Sequence, residues 1–379
     1  MRENKSRILA VLMAAAMTAA SSASLAGPSI AVDVESGQVL SQEDAFQRWY
    51  PASLTKLMTA YVAFRALDAG KVKLDSPVTM SKTSAKEPPS KMYYKPGQSV
   101  TLDHALKIIM VKSANDVAAA IGETLGGSKA GFVAMMNAEA QRIGMTGTHF
   151  ANANGLHSTE NYSTAHDLAV LTVRLRREFP QYAGYFGTEA ITTGKSIQAN
   201  YNILLGRFAG ADGMKTGFVC ASGFNLIGSA TRDGRTVVAV VLGADKQETR
   251  AAKAAELITQ GFQTDGSNAP TLASLRSPGT PELDVAPDLR AQICSAEAAA
   301  DRWDGREVEG RMKIASPYIT PMGREPHAVK VGLIQPPFKP LIDISRVPIP
   351  AVRPTMASVQ GAAAVVKPAS KATSVQNIN

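Results

Sequence analysis

Cysteine is nearly missing from this chain. Two among 379 residues exclude a disulfide-built scaffold and the usual four-ligand zinc site, and leave room for one bridge. The five histidines, at 104, 149, 157, 166 and 327, include no His-Glu-x-x-His spacing, which disfavours a zinc carboxypeptidase. Charged residues are sparse too, at 19% against 45% hydrophobic, a mixture too apolar for a disordered chain. The apolar run at residues 8–20 is shorter than the ~20 residues a membrane-spanning helix needs. What remains is a globular protein too long for a single core, with a net charge of +8 that implies an anionic partner of some kind.

The N-terminus says where that partner is met. Arg2, Lys5 and Arg7 precede the apolar run, which gives way to Ser24-Leu25-Ala26-Gly27. Residues 1–26 therefore read as a secretory signal peptide cleaved after Ala26. A periplasmic protein does not meet nucleic acid, so the charge points to weak contact with anionic membrane or wall.

Between residues 27 and 265 the pattern is strand, helix, strand. Residues 29–33 and 38–40 flank Glu35-Ser36-Gly37 as a hairpin. A helix running to Gly70 carries apolar bulk nearly all round, the mark of a buried element. Helices are expected near 101–111, 116–125, 130–143 and 165–178, and residues 71–100 read as loops and short strands. Strands return at 213–219, 224–231 and 236–243, the last two turning at Asp233-Gly234, before an Ala-rich helix at 246–262. The fold class is α+β: a mostly antiparallel sheet packed with helices and interrupted by an inserted helical subdomain. Two-thirds of the 21 prolines lie beyond residue 265. Residues 266–360 are accordingly expected to be extended, with at most a small poorly packed module, and 361–379 to be a low-complexity tail. A short helix is expected within 287–304.

Three short motifs carry candidate chemistry. Ser53 and Lys56 stand one helical turn apart at the start of the buried helix, so the amine can lie beside the hydroxyl and act as its base if its pKa is lowered. Ser113-Ala114-Asn115 falls in the turn between two helices. Lys215-Thr216-Gly217 lies on a strand, where Gly217 would let a ligand backbone approach. Each alone has an ordinary explanation: Ser53 and Ser113 as helix caps, Lys215 as an edge-strand lysine. Together, in this order and with gaps of about 60 and about 100 residues, they match the set shared by penicillin-binding proteins and class A β-lactamases.

The surrounding residues narrow that match. Pro-Ala-Ser-Leu-Thr-Lys-Leu-Met-Thr-Ala-Tyr at 51–61, Ser-Ala-Asn-Asp at 113–116, Asn-Gly-Leu at 154–156, Ser-Thr-Ala-His-Asp-Leu at 163–168 and Asp-Gly-Met-Lys-Thr-Gly-Phe at 212–218 resemble the low-molecular-mass D-alanyl-D-alanine carboxypeptidases, serine peptidase family S11, over residues 28–265. The resemblance implies a cofactor-free enzyme that removes the terminal D-Ala from peptidoglycan stem peptides, with β-lactams as covalent inhibitors. It implies Ser53 as nucleophile, Lys56 as base and Ser113 as proton relay to the leaving amine. Asn115 would hold the substrate amide and the Lys56 amine, and Lys215 and Thr216 the terminal carboxylate. The N–H groups of Ser53 and Phe218 would form the oxyanion hole.

Class A β-lactamase is disfavoured, because no Glu-x-x-Leu-Asn-like segment lies between Ser113 and Lys215 and the turn reads Ser-Ala-Asn. A cross-link-cutting endopeptidase of the same family and a non-catalytic wall-binding or β-lactam-sensing protein stay as alternatives. His157 and His166, near Asn154-Gly155-Leu156, read as ordinary surface or core histidines. The tail from 361 lacks a cationic amphipathic stripe, so membrane anchoring through it is not expected. Cys220 and Cys294 either bridge in the oxidising compartment or remain as buried thiols.

Overall fold

In the computed structural model, residues 27–304, 314 and 316–334 are described. The signal peptide and the tail read from the sequence lie outside the described residues. Strands β1 (Ser29–Asp33) and β2 (Val39–Glu43) form the first hairpin, and β7 (Ala211–Val219), β8 (Gly223–Arg232) and β9 (Arg235–Ala244) complete an antiparallel sheet in the order β2-β1-β9-β8-β7. Asp233 and Gly234 both take positive φ, 50° and 80°, as the tight β8–β9 hairpin requires. Strand β9 is apolar without alternation because both of its faces are buried. Val238, Val240 and Leu242 face the main core, while Val237, Ala239 and Val241 face helix α6 (Gln247–Gln263).

The main core lies between the sheet and the inserted helices: α1 (Lys56–Asp68), α2 (Leu102–Val111), α3 (Asn115–Gly126), α4 (Lys129–Ile143) and α5 (Ala165–Glu178). Leu57, Met58, Ala60, Tyr61, Ala63 and Phe64 of α1 are each 0% exposed, so this helix is surrounded. Thr101 caps α2 by accepting from the His104 N–H at 3.1 Å. Small sheets add β3 (Pro77–Thr79) with β4 (Ser99–Thr101), and β5 (Ala190–Thr192) with β6 (Ile197–Ala199) and β10 (Ala328–Lys330).

The chain beyond residue 265 is extended, as its prolines require, but its described part differs from a poorly packed module. It is a strap laid on residues 27–265. The Val39 N–H donates to Pro270 O, Leu272 N–H to Gly37 O, and Leu289 N–H to Ala221 O. Leu272, Leu289, Ile293 and Val331 join the main core, and Ile319 joins the cluster under α6. The strap carries two short helices, α7 (Arg290–Ile293) and α8 (Ala296–Asp304). Apolar side chains spaced along a proline-rich stretch are enough to seat it, because each finds a ready-made groove and no helix or central strand is needed. Cys220 at the end of β7 and Cys294 after α7 are joined in a disulfide, which settles their two alternatives.

Candidate active site

The segment Ala52–Thr55 is a 3₁₀ turn leading into α1. Neither its start nor that of α1 has a side-chain cap, so Ser53 is not a helix cap. Its Oγ accepts from Lys56 Nζ at 2.9 Å. The other two Lys56 donors go to Asn115 Oδ1 at 2.9 Å and to the Asn154 carbonyl at 2.5 Å. All three N–H bonds of a protonated amine are thus accounted for inside the protein. Ser113, at φ 59°, is not a cap either. The α3 helix begins after Ala114 without a side-chain cap, and Ser113 Oγ accepts from Lys215 Nζ at 3.0 Å.

Lys215 is 1% exposed, unlike a lysine that shields an edge. It sits on β7, the outer strand of the five, where Lys215, Thr216 and Gly217 pair with Ile227, Leu226 and Asn225. Gly217 has a different reason from the one its sequence context implies. A Cβ there would lie 2.8 Å from Pro51 O and 3.1 Å from Ser53 N. The missing side chain lets the Ser53 turn lie against the strand as well as lining the cavity.

Ser53, Ser113, Asn115, Thr216, Gly217 and Phe218 all line one cavity of about 330 Å³. Lys56 and Lys215 lie behind the serine hydroxyls they contact. Burial, and secondly the Lys215 charge, hold Lys56 well below the usual lysine range, while Glu87 and Asp116 pull it back up. Burial and the neighbouring Arg250 bring Lys215 down to about 7.

Arg250 was not singled out by the sequence. It is 4% exposed, lines the same cavity, and donates to the carbonyls of Gly217, Asn225 and Tyr201 at 3.2, 3.1 and 3.4 Å. Burial brings it down to about 9, so it remains cationic at neutral pH. Its signal was a charge in register with Ala254 and Ile258 on the apolar stripe of α6. Asn225 also escaped notice: its amide donates to Tyr50 O and Pro51 O at 2.9 and 3.3 Å and fastens the Ser53 turn to β8. Asp116, 0% exposed, accepts from the N–H groups of Met92, Tyr93 and Val117 and anchors the loop facing Asn115. His157 packs edge-on against Tyr50, and His166 bonds Asp167 and the strap carbonyl of Leu272. Among the described residues there is no cluster of metal-ligating side chains and no helix long and apolar enough to cross a membrane.

A profile of the S11 peptidases, described as D-alanyl-D-alanine carboxypeptidase, matches residues 15–246. The chain belongs to this family. It is 36% identical over 241 residues to the D-alanyl-D-alanine carboxypeptidase DacC of Escherichia coli, covering 62% of this chain and 60% of that protein, so it spans less than two-thirds of that relative. Among solved structures it resembles penicillin binding protein 6B of E. coli, with TM-score 0.60 and 36% identity over 63% of this chain and 77% of the other. Penicillin-Binding Protein D2 of Listeria monocytogenes, in its ampicillin bound form, aligns with TM-score 0.58 and 31% identity over 62% of this chain and 97% of the other. The α+β fold read from the S11 protein's sequence is therefore that of the penicillin-binding proteins.

Proposed function

We propose that this protein is a serine-type D-Ala-D-Ala carboxypeptidase that removes the terminal D-Ala from peptidoglycan pentapeptides through an acyl-enzyme on Ser53. The observation that carries the reading is the buried, charge-depressed Lys56 amine 2.9 Å from the Ser53 hydroxyl. A lysine so placed spends enough of its time neutral to act as a base. It takes the Ser53 proton as Oγ attacks the carbonyl of the penultimate D-Ala. The N–H groups of Ser53 and Phe218 receive the oxyanion, a contribution typically of order 3–4 kcal/mol per donor.

Ser113 Oγ then passes a proton to the departing D-Ala amine and is replenished by the proton that Lys56 took from Ser53, which returns Lys56 to its neutral form; Lys215, 3.0 Å from the Ser113 hydroxyl, keeps its own proton. Asn115 aligns the substrate amide. Lys215, Thr216 and Arg250 hold the terminal carboxylate. Water hydrolyses the ester and Lys56 again serves as base. A β-lactam would acylate Ser53 by the same first step. The disulfide and the family favour work outside the reducing cytoplasm, in keeping with residues 1–26 as a signal peptide and a periplasmic location.

The test is release of D-Ala from a pentapeptide ending in D-Ala-D-Ala by the purified protein, with Ser53→Ala as control. Release by the wild type alone is the expected result. No release from a pentapeptide or a cross-linked dimer would end the enzymatic reading, and release from the dimer alone would replace it with an endopeptidase.

A further inference from the structure

The loop between β3 and β4 carries a carboxylate that the mechanism above does not use. Glu87 follows the short 3₁₀ turn Ser84–Lys86 and its main chain is held in place: its N–H donates to Ser84 O at 3.1 Å and its carbonyl accepts from Lys91 Nζ at 2.8 Å. Its Oε2 accepts from Asn154 Nδ2 at 3.0 Å. Asn154 is 2% exposed, so its amide has little access to water as a substitute. The rest of Asn154 is equally constrained: Oδ1 accepts from the Leu156 N–H at 3.1 Å, and its carbonyl receives Lys56 Nζ. One residue therefore connects the Glu87 carboxylate to the amine beside the nucleophile.

We propose that Glu87 is a positioning residue for Lys56, fixing the Asn154 carbonyl that the amine is bonded to and setting the electrostatic field in which the amine works. The proposal rests on the reading of Lys56 as the base. The charged groups acting on Lys56 are Lys215 on β7, Asp116 on α3 and Glu87 on this loop. The two carboxylates differ in kind. Asp116 spends its oxygens on the backbone N–H groups of Met92, Tyr93 and Val117, whereas Glu87 is linked to Lys56 through one residue, the side-chain amide and main-chain carbonyl of Asn154. Burial and the Lys215 charge both lower the basicity of Lys56. An acidic group one asparagine away restores basicity without entering the cavity, whose lining does not include Glu87.

Glu87→Gln keeps an acceptor for Asn154 and removes the charge, while Glu87→Ala removes both. The carbon-13 shift of the Lys56 Cε, in lysine-labelled protein assigned with Lys56→Arg, gives the titration midpoint directly. In Glu87→Gln the midpoint should fall by roughly 0.5–1.5 pH units, the span for a charge this near between solvent-like and protein-like screening. The acid limb of Ser53 acylation by a fluorescent penicillin should move by the same amount, with the plateau rate changed less than about threefold. Glu87→Ala should show the same shift with a plateau about tenfold lower, because Asn154 also loses its partner. A Glu87→Gln midpoint that superimposes on the wild type overturns the proposal. The carbon-13 titration reads Lys56 whether or not peptide is cleaved, so an inactive wild type would end the carboxypeptidase reading and leave this measurement decisive.

Discussion

Replacing Gly155 by alanine should disable the site without touching any side chain in it. Gly155 sits at φ +81°, and a Cβ there would lie 1.8 Å from Ala52 O, 2.3 Å from Ala52 C and 2.9 Å from Ser53 N. The first of these is roughly 1.2 Å inside the 3.0 Å that a Cβ tolerates. All three atoms are backbone, so no rotamer change relieves the contact. Either the Ser53 turn moves away from the Asn154–Leu156 loop, or the loop moves and takes with it the Asn154 carbonyl bonded to Lys56. Left-handed backbone contributes about 1–2 kcal/mol of destabilisation for a residue with a Cβ, and overpacking about 1–3 kcal/mol, so the variant should lose roughly 2–5 kcal/mol. A shift of about 1 Å between nucleophile and base should slow acylation by roughly 100-fold.

Gly70→Ala separates the two terms. Gly70 has φ +66° and nothing within 4 Å of its would-be Cβ, so it should show the backbone term alone and acylate as the wild type does. Urea unfolding gives the stabilities, and stopped-time labelling with a fluorescent penicillin gives the rates. A Gly155→Ala protein that acylates within threefold of wild type would refute the argument, since the Ser53 turn and the Asn154 loop would then not be held in register by this contact.

Three further outcomes follow from the same geometry. Cys294→Ser opens a bridge spanning 74 residues of sequence and should destabilise the protein by about 2–4 kcal/mol, read as a lower urea midpoint; a midpoint equal to wild type under non-reducing conditions would contradict it. For His166, burial opposes the charge, but the bonds to Asp167 and the Leu272 carbonyl hold its pKa above 6.5. Its stabilisation is therefore complete below 6.5 and lost as pH rises through the raised folded value. The stability gap between wild type and His166→Gln should be larger at pH 5.5 than at 8.5, and a gap independent of pH would reject the assignment. Arg250→Met removes the hydrogen bonds to the buried carbonyls of Gly217 and Asn225 and to that of Tyr201, and removes a cation beside Lys215. It should cost about 3–5 kcal/mol, raise the Lys215 pKa and raise KM for a pentapeptide by roughly tenfold or more; an unchanged KM would remove Arg250 from carboxylate recognition.

The parts of the fold legible in the sequence are those whose signal is local and repeated. Helix α5 has the bounds expected from the sequence, 165–178, and Thr164 caps it, and Asp233-Gly234 marks the β8–β9 hairpin. Strands β5, β6 and β10 were not read. Each is three residues long, too short for an alternation to register, and β10 pairs with β5 from far along the chain, Ala328 opposite Ala190. The strap had the same difficulty: Leu272 and Val331 look like isolated apolar residues until the grooves that receive them are formed. In the site, Ser53, Lys56, Ser113, Asn115, Lys215, Thr216, Gly217 and Phe218 could be named because they fall in recognisable words. Arg250, Asn225 and Glu87 could not. Their importance comes from what lies opposite them, and no spacing within a linear motif records it.

Under the proposed carboxypeptidase reading, the buried charge beside the cavity accounts for a preference for a chain end over a continuing peptide. Lys56, Lys215 and Arg250 are 0%, 1% and 4% exposed, and each cation raises the electrostatic energy of its neighbour: Arg250 lowers Lys215, and Lys215 lowers Lys56. The acids that compensate, Glu87 and Asp116 for Lys56 and Glu248 for Arg250, none act on Lys215. Lys215 is thus the least compensated of the three, and it is the one beside the Ser113 hydroxyl and the Thr216 wall of the cavity. A carboxylate placed there supplies the missing counter-charge, raises the Lys215 pKa and keeps the ammonium charged against it. A peptide continuing past that point would bring an uncharged amide instead, leaving the buried cation as costly as before. Positive charge that is unfavourable until a substrate's terminal carboxylate arrives makes a cost in stability without substrate and selectivity for a terminal residue two consequences of one arrangement.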